Sequence, residues 1–368
     1  MFLKEIRING FRNLSSQIYE AQKGLNILIG ENGQGKTNFL EAVYYLSCGS
    51  SFRASDHKVL VNYDEKHFTI EAVNNIKDKW LKAAVIYERN KGKKFSLNDK
   101  RSAYSENFMN AVLFTPDDLY LIKGSPKQRR DYLDYGLKQI AKEYYGYFEN
   151  YGKILKKRNF LLKSEQTKGG LYKTLNDVFI EQAARIILAR FNYINLLDDV
   201  LKETYKSLNG GGNQLKIKYA LSFPLDHDKI NLTILSEKIK EQIDLKAGQE
   251  IKRKSVLVGP HLDDLHIYFD NRPARQYCSQ GQQRSIAVSL KLAELCAFAK
   301  IKGYYPLFLL DEVMAELDEN KRCLLLNYLE KAPFQSFMTA VNSEYLGELK
   351  NTLLTVIDNG VLKKKGAV

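Results

Sequence analysis

The segment Gly30-Glu31-Asn32-Gly33-Gln34-Gly35-Lys36-Thr37 constrains this chain more than any other. It follows the apolar run Leu25-Asn-Ile-Leu-Ile29 and leads into Asn38-Phe-Leu-Glu-Ala-Val-Tyr-Tyr-Leu46. A buried strand, a glycine-rich turn and a helix start therefore come in the order that a Walker A phosphate loop requires. Glycines let successive backbone N–H groups turn toward phosphate oxygens, and the helix N-terminus adds a favourable dipole. Lys36 is expected to reach the β- and γ-phosphates of ATP, and the Thr37 hydroxyl to ligate Mg2+. A glycine-rich turn that merely matches the spacing accounts less well for both flanks together. The expected ligand is a nucleoside triphosphate.

Bulk properties narrow the class. The chain has 368 residues, 44% hydrophobic and 27% charged, which suits a large α/β domain plus a second element. No apolar run is long enough to span a bilayer, and Met1-Phe-Leu-Lys-Glu-Ile-Arg7 lacks a signal core, so a cytoplasmic protein with no membrane partner is expected. Cys48, Cys278, Cys296 and Cys323 lie far apart without metal-ligand spacing, which points to reduced thiols. The net charge of +13 suggests a polyanionic partner, with nucleic acid favoured over lipid and a simple solubilising excess as the plainer account.

Along the chain, Phe2 to Asn9, His67 to Val73 and Leu81 to Tyr87 alternate like strands. Ser125-Pro126 opens a helical region, with Ser at N-cap and Pro at N1. Leu133, Leu137, Ile140, Tyr144, Tyr147, Tyr151 and Ile154 form one helical seam, and Ile187, Phe191, Ile194, Leu201, Tyr205 and Leu208 form a second. The polar stretch Ser164 to Gly170 separates them. The pattern predicts two antiparallel helices, an arm of roughly 45–50 Å at 1.5 Å per residue. Lys and Arg outnumber Asp and Glu sixteen to ten over 125–207. Such a surplus is either a solvated face or a phosphate-contacting patch. Beyond Gly210-Gly-Gly212, Leu215 to Ser222, Ser255 to Val258 and Leu265 to Phe269 read as strands. The expected domains are an N-terminal ATPase part over 1–124, the arm over 125–209, and a C-terminal ATPase part over 210–368.

Pro306-Leu-Phe-Leu-Leu-Asp311-Glu312 reads as a Walker B strand. Asp311 is expected in the Mg2+ shell, and Glu312 to orient or deprotonate the attacking water. The segment Met314-Ala-Glu316-Leu-Asp318 resembles the D-loop of ABC-type ATPases. Upstream, Ser279-Gln280-Gly281-Gln282-Gln-Arg284 before an apolar helix resembles the ABC signature motif. A serine hydroxyl and glycine N–H at a helix start form an anion site, although the same serine also makes an ordinary N-cap. In ABC-type enzymes that site serves the nucleotide of a second subunit in a head-to-tail dimer.

With the surrounding blocks the likeness narrows. Asn9-Gly-Phe-Arg12-Asn13, Gly30 to Glu41, Ser50-Ser-Phe-Arg53, Phe114-Thr-Pro-Asp-Asp-Leu119, Lys123-Gly-Ser-Pro126, Gln128-Arg129-Arg130, Gly259-Pro-His261 and Ser279 to Leu292 together resemble the bacterial RecF family of recombination mediators. The resemblance runs through the whole chain in order. Leu262 stands where that family usually has Arg, Glu312 where it often has Asp, and Ala315 where Ser is frequent. No switch histidine follows Ser336-Phe-Met-Thr339, which leaves Thr339 as a substitute candidate.

The resemblance implies an α/β, ABC-type P-loop ATPase head of the SMC/RecF kind with an inserted antiparallel helical arm. It also implies weak, DNA-dependent ATP hydrolysis used as a switch, an ATP-dependent homodimer, and binding to single-stranded and gapped duplex DNA. The implied role is DNA repair, DNA replication and SOS induction, with RecR and RecO, in loading RecA at gaps. Arg12 and Asn13 are implied near the nucleotide or in its frame. Arg129, Arg130, Lys156, Lys157, Arg158 and Lys363 to Lys365 are candidate DNA contacts. The alternative is an SMC-like ABC ATPase with another DNA-maintenance role. A transporter subunit would lack the insertion, and an SMC cohesion protein would need far longer coiled coils. A nuclease-coupled ATPase would continue past Walker B into an acidic metal-binding domain, and a small-molecule kinase would lack the Ser279 motif.

Overall fold

The central sheet places the two nucleotide motifs one strand apart. The computed structural model describes residues 1–102, 109–209, 212–226, 230–342, 346, 349 and 352–367. The chain divides into two units. The first comprises Met1–Leu119, Glu203–Gly212 and Ser279–Val368, and the second Tyr120–Lys202 and Asn213–Cys278.

The first unit holds two six-stranded sheets. One is antiparallel, in the order β2 (Leu14–Glu20), β1 (Phe2–Phe11), β4 (His67–Ile76), β5 (Lys79–Glu88), β6 (Gly92–Leu97), β7 (Lys100–Arg101). The other runs β15 (Val361–Ala367), β14 (Thr352–Asp358), β3 (Leu25–Ile29), β13 (Ser336–Ala340), β12 (Leu307–Leu310), β8 (Ala111–Phe114). All its neighbours are parallel except β15, which folds back on β14. Strands β3, β8, β12 and β13 are buried along their whole length. Such strands have no solvent face, so they read as continuous apolar runs rather than alternating ones. Helices α1 (Lys36–Cys48), α8 (Gln280–Lys302) and α9 (Glu319–Lys331) lie within this unit. The two-residue hairpin turns Lys77-Asp78, Asn98-Asp99 and Asn359-Gly360 all have positive φ at both positions, as the right-handed twist of the flanking strands demands.

The second unit combines helices with a small sheet. Its helices are α2 (Tyr120–Lys123), α3 (Pro126–Ile140), α4 (Lys142–Lys163), α5 (Gly170–Asn209, whose last turns fall in the first unit), α6 (Leu232–Arg253) and α7 (Ala274–Tyr277). Its antiparallel sheet is ordered β11 (Arg272–Pro273), β10 (Asp264–Phe269), β9 (Leu215–Ala220).

The expected two-helix arm is therefore corrected in three respects. The first helix breaks at Ala141, whose backbone is extended, so α3 and α4 are separate elements. Leu133, Leu137, Ile140, Tyr144 and Tyr151 stay buried across that break, which explains why the seam read as one helix. Helix α5 has 40 residues and spans about 60 Å, longer than expected. Residues 213–278, expected in the ATPase part, cluster instead with the helices. Alternation shows that β9 and β10 are strands but carries no information about which sheet they join. Ser255 to Val258 is not a strand. The Val256 N–H donates to Asn159 Oδ1 (2.9 Å) and the Leu257 N–H to Glu250 Oε1 (2.8 Å), so side chains take the place of ladder partners. Among the described residues, no helix is long and apolar enough to cross a membrane.

Candidate functional site

Strand β3 delivers the chain to Gly30, and α1 begins after Gly35. Gly35 has φ +114°, and a Cβ there would lie 2.8 Å from Asn13 Oδ1, so this position admits only glycine. The buried Lys36 ammonium curls back over the loop and donates to the Gly30 (2.5 Å) and Glu31 (2.8 Å) carbonyls. Burial lowers its pKa, against the opposing pull of Glu312 and Asp311. Asn13 lies against the loop, with its amide donating to the Gly33 carbonyl (3.4 Å) and its oxygen accepting from Asn38 (2.8 Å). Arg12 has a different job. All three of its guanidinium nitrogens are engaged, two by the fully buried Glu41 at 2.9 Å and one by the Val59 carbonyl at 3.2 Å. Ser51 also donates to Glu41, and Arg53 donates to Asn38 (2.8 Å). Arg12 is thus part of the frame that holds α1.

Walker B meets Walker A through β13. Thr37 Oγ1 donates to Asp311 Oδ1 (3.0 Å). Thr339, at the end of the strand between the two motif strands, donates to the same Asp311 oxygen (2.9 Å). The Thr339 hydroxyl in turn accepts from the Glu312 N–H (2.8 Å). Burial raises the Asp311 pKa, and the bonds from Thr339 and Thr37 pull it back. Glu312 sits exposed in the left-handed region at φ 50°, a conformation that costs a non-glycine residue on the order of 1 kcal/mol. Its carboxylate is close enough to act electrostatically on both Lys36 and Asp311. Thr339 therefore couples the two acidic positions, a role visible in sequence only as its place at the strand end.

The signature segment forms the start of α8. Ser279 Oγ accepts from the Gln282 N–H (3.3 Å), and Gln282 Oε1 accepts from the Ser279 N–H (2.8 Å), a reciprocal capping box. Ser279 and Gln280 remain exposed. The D-loop is tied to this helix: Asp318 caps α9 through the Lys321 N–H (3.0 Å), and the Lys321 ammonium reaches Asp318 (3.2 Å) and the Gly281 carbonyl (3.2 Å). The Glu316 side chain lies outside the described residues.

The basic candidates divide sharply. Arg158 is fully buried, paired with Glu250 (2.9 Å) and 4.5 Å from the Phe179 ring centroid. Arg129 is 6% exposed and forks onto both oxygens of Asp264 (2.7 and 2.8 Å). Buried and paired inside the protein, both offer little or no surface to a DNA phosphate. Arg130 donates to the Asp263 carbonyl (2.8 Å). Lys156 and Lys157 are exposed on α4. Lys363 is exposed and pairs with Asp358 (3.2 Å), while the Lys364 and Lys365 side chains lie outside the described residues.

These pairings join the segment Gly124 to Arg130 with the segment Gly259 to Asp264. Within the second unit they meet in one polar network, in which Asp263 also accepts from Tyr219 (2.7 Å) and the Ser222 N–H (2.8 Å). Arg190 joins Asp134 (2.8 Å) to the Pro260 carbonyl (2.6 Å). His261 Nδ1 takes the Tyr151 hydroxyl at 2.6 Å, and burial lowers its pKa to about 4, so the ring is neutral. Leu262 is exposed beside this network.

Comparison with known proteins agrees with the geometry. The family model for the RecF/RecN/SMC N terminal domain matches residues 2–363. The DNA replication and repair protein RecF of Bacillus cereus (strain G9842) is 35% identical over 373 residues, covering 98% of each chain. Its counterpart in Natranaerobius thermophilus is 33% identical, covering 100% of this chain and 99% of that one. A solved structure of the recombination mediator protein RecF-ATPrS in the RecFOR pathway aligns with a TM-score of 0.89 at 34% identity, over 99% of this chain and 98% of the other. An Smc head bound to the C-winged helix domain of ScpA aligns at 0.57 with 17% identity, a likeness of fold alone. With a P-loop bonded to its Walker B strand and near full-length identity to such relatives, this chain belongs to the RecF family of DNA replication and repair proteins.

Proposed function

We propose that this chain is an ATP-switched recombination mediator that binds DNA, closes as an ATP-dependent homodimer and hydrolyses ATP slowly. The observation that carries the reading is the bonded chain Thr37–Asp311–Thr339–Glu312, which joins a P-loop hydroxyl to the Asp311 carboxylate and to the backbone N–H of Glu312. Lys36, held by two loop carbonyls, would exchange those weak partners for β- and γ-phosphate oxygens.

The donors suit Mg2+. Thr37 and Asp311 offer two hard oxygens within 3.0 Å of each other. Mg2+ characteristically takes one or two protein oxygens and completes its shell with phosphates and water. Bound there, the ion would neutralise charge developing on the phosphates. Glu312 would orient the attacking water, and Thr339 would hold its backbone in register with Asp311. Ser279, Gln280, Gly281 and Gln282 would face the γ-phosphate held by a second copy, with Asp318 beside them. Binding ATP more tightly in the closed dimer than in the open protein makes the nucleotide an adhesive that hydrolysis removes.

The RecFOR relative supports assigning the same setting here: action at single-strand gaps with RecO and RecR, RecA loading, and a contribution to SOS induction. The test is anisotropy of a labelled gapped duplex with ATP, with ADP and without nucleotide at fixed salt. Tighter binding with ATP alone is expected. Equal binding in all three states would detach DNA contact from the ATP cycle.

A further inference from the structure

The outward face of the β9–β10–β11 sheet brings lysines and rings side by side. On β9, Lys216 and Lys218 are exposed, while Leu215, Ile217 and Tyr219 between them are buried. On β10, His266 is exposed and Tyr268 half-buried, with Leu265, Ile267 and Phe269 turned inward. The register sets Lys218 opposite His266 and Lys216 opposite Tyr268. Directly opposed residues share one face, so each ring stands beside an ammonium. The Lys218 ammonium lies 5.9 Å from the Tyr268 ring centroid, and the two rings are 6.3 Å apart.

A cleft of about 280 Å³ continues this face on the other side of β10. Tyr268, His266, Pro273, Arg275 and Gln276 line it, together with the paired Arg129 and Asp264. Next to it the exposed Tyr277 ring carries the Arg272 guanidinium at 5.6 Å. Among the described residues, none of Lys216, Lys218, Arg272 and Arg275 forms an ion pair. The nearby carboxylates are already engaged, Asp264 by Arg129 and Asp270 by Asn213 and the Gln214 N–H.

We propose that this sheet face and its cleft bind single-stranded DNA, with the lysines and arginines on phosphates and Tyr268 and His266 stacking on bases. The inference rests on the reading that the chain acts on DNA, and it names the surface. Four cations without an ion pair among the described residues, two of them resting against tyrosine rings, call for a polyanion. Rings interleaved with them, His266 exposed and Tyr268 half-buried, add affinity only for bases freed from a duplex stack. An acidic peptide would use the cations and leave the rings idle.

The test measures anisotropy of a labelled oligothymidylate with the full chain over a salt series. Lys216→Ala with Lys218→Ala should reduce the slope of log K against log salt by about 1.4, two phosphates' worth. Tyr268→Ala should weaken binding on the order of tenfold, and Tyr268→Phe should restore it. A 5-iododeoxyuridine oligonucleotide should photocrosslink to Tyr268, and melting temperatures report whether each variant folds. Unchanged affinity and slope in folded variants would overturn this surface even while the wild type binds gapped duplex. Loss with the lysines but not with Tyr268→Ala, and equal competition by polyglutamate, would make it an acidic-peptide site and overturn the proposal. A wild type that binds no DNA at all would overturn the functional reading itself.

Discussion

The Gln34 side-chain oxygen accepts a hydrogen bond from the Asn359 N–H at 2.5 Å, tying the phosphate loop to a turn 325 residues away. The Gly360 N–H adds a second bond to the Gln34 carbonyl at 2.9 Å. The β14–β15 hairpin thus clamps the loop that must hold its shape without a ligand, and such preorganisation spares the nucleotide an ordering cost.

Gly360→Ala tests the clamp. Gly360 has φ +76°, and a Cβ would lie 2.1 Å from the Asn13 carbonyl oxygen. The left-handed backbone alone costs alanine about 1–2 kcal/mol, and the clash adds to it. Denaturant unfolding should show at least that loss, and a fluorescent ATP analogue should bind more weakly. Wild-type ATP affinity in a folded variant would show that the hairpin does not support the loop.

Glu312→Gln should still bind ATP, since Lys36, Thr37 and Asp311 are untouched. Turnover should fall 100-fold or so, the scale of a general-base loss. Size-exclusion chromatography should then find the dimer persisting with ATP. Surviving turnover would assign water activation to another group.

Ser279→Arg should keep ATP binding and lose ATP-dependent dimerisation, because the serine faces solvent at the start of α8. Ser279→Ala separates the capping role, which is worth about 1 kcal/mol of stability. If the arginine variant dimerises with ATP, Ser279 is a cap and nothing more.

Arg158→Met should destabilise the protein by roughly 3–5 kcal/mol, because it strands the buried Glu250 carboxylate. The double change Arg158→Met with Glu250→Leu should recover most of that loss. DNA affinity of the folded double variant should match wild type, since Arg158 has no solvent exposure. Weaker DNA binding there would restore it as a contact.

Glu294 gives a pH prediction. It is buried on α8, 3.9 Å from Lys291, which itself pairs with Asp118 (3.0 Å). Burial raises its pKa from 4.5 to about 7, opposed by Lys291 and aided by Asp118. The folded value exceeds the unfolded one, so its contribution to stability is complete below pH 4.5 and is lost as pH rises through about 7. Glu294→Gln should therefore melt higher than wild type at pH 8, with the difference vanishing near pH 4.5. A constant difference across that range would show that the carboxyl does not titrate there.

What the sequence determined by itself is local. Strand–loop–helix order around Gly30 to Thr37, the apolar run before Asp311-Glu312 and the Ser279 helix start are all short-range patterns, set by backbone geometry and by which side chains must be dry. They sufficed to mark the ATP motifs, while the RecF-like head with its insertion followed from the resemblance of whole sequence blocks. What only the tertiary structure decided is pairing between segments far apart in the chain. Thr339 joins Asp311 to Glu312 because β13 lies between β3 and β12, an order that strand periodicity does not encode. Arg129 and Arg158 look like any basic helical residues until Asp264 and Glu250 are seen beside them. The same holds for β9 and β10, whose alternation announces two strands while their shared lysine-and-ring face exists only once the register is set. A charge has one meaning in solvent and another against a buried carboxylate, and contact across the fold chooses between them.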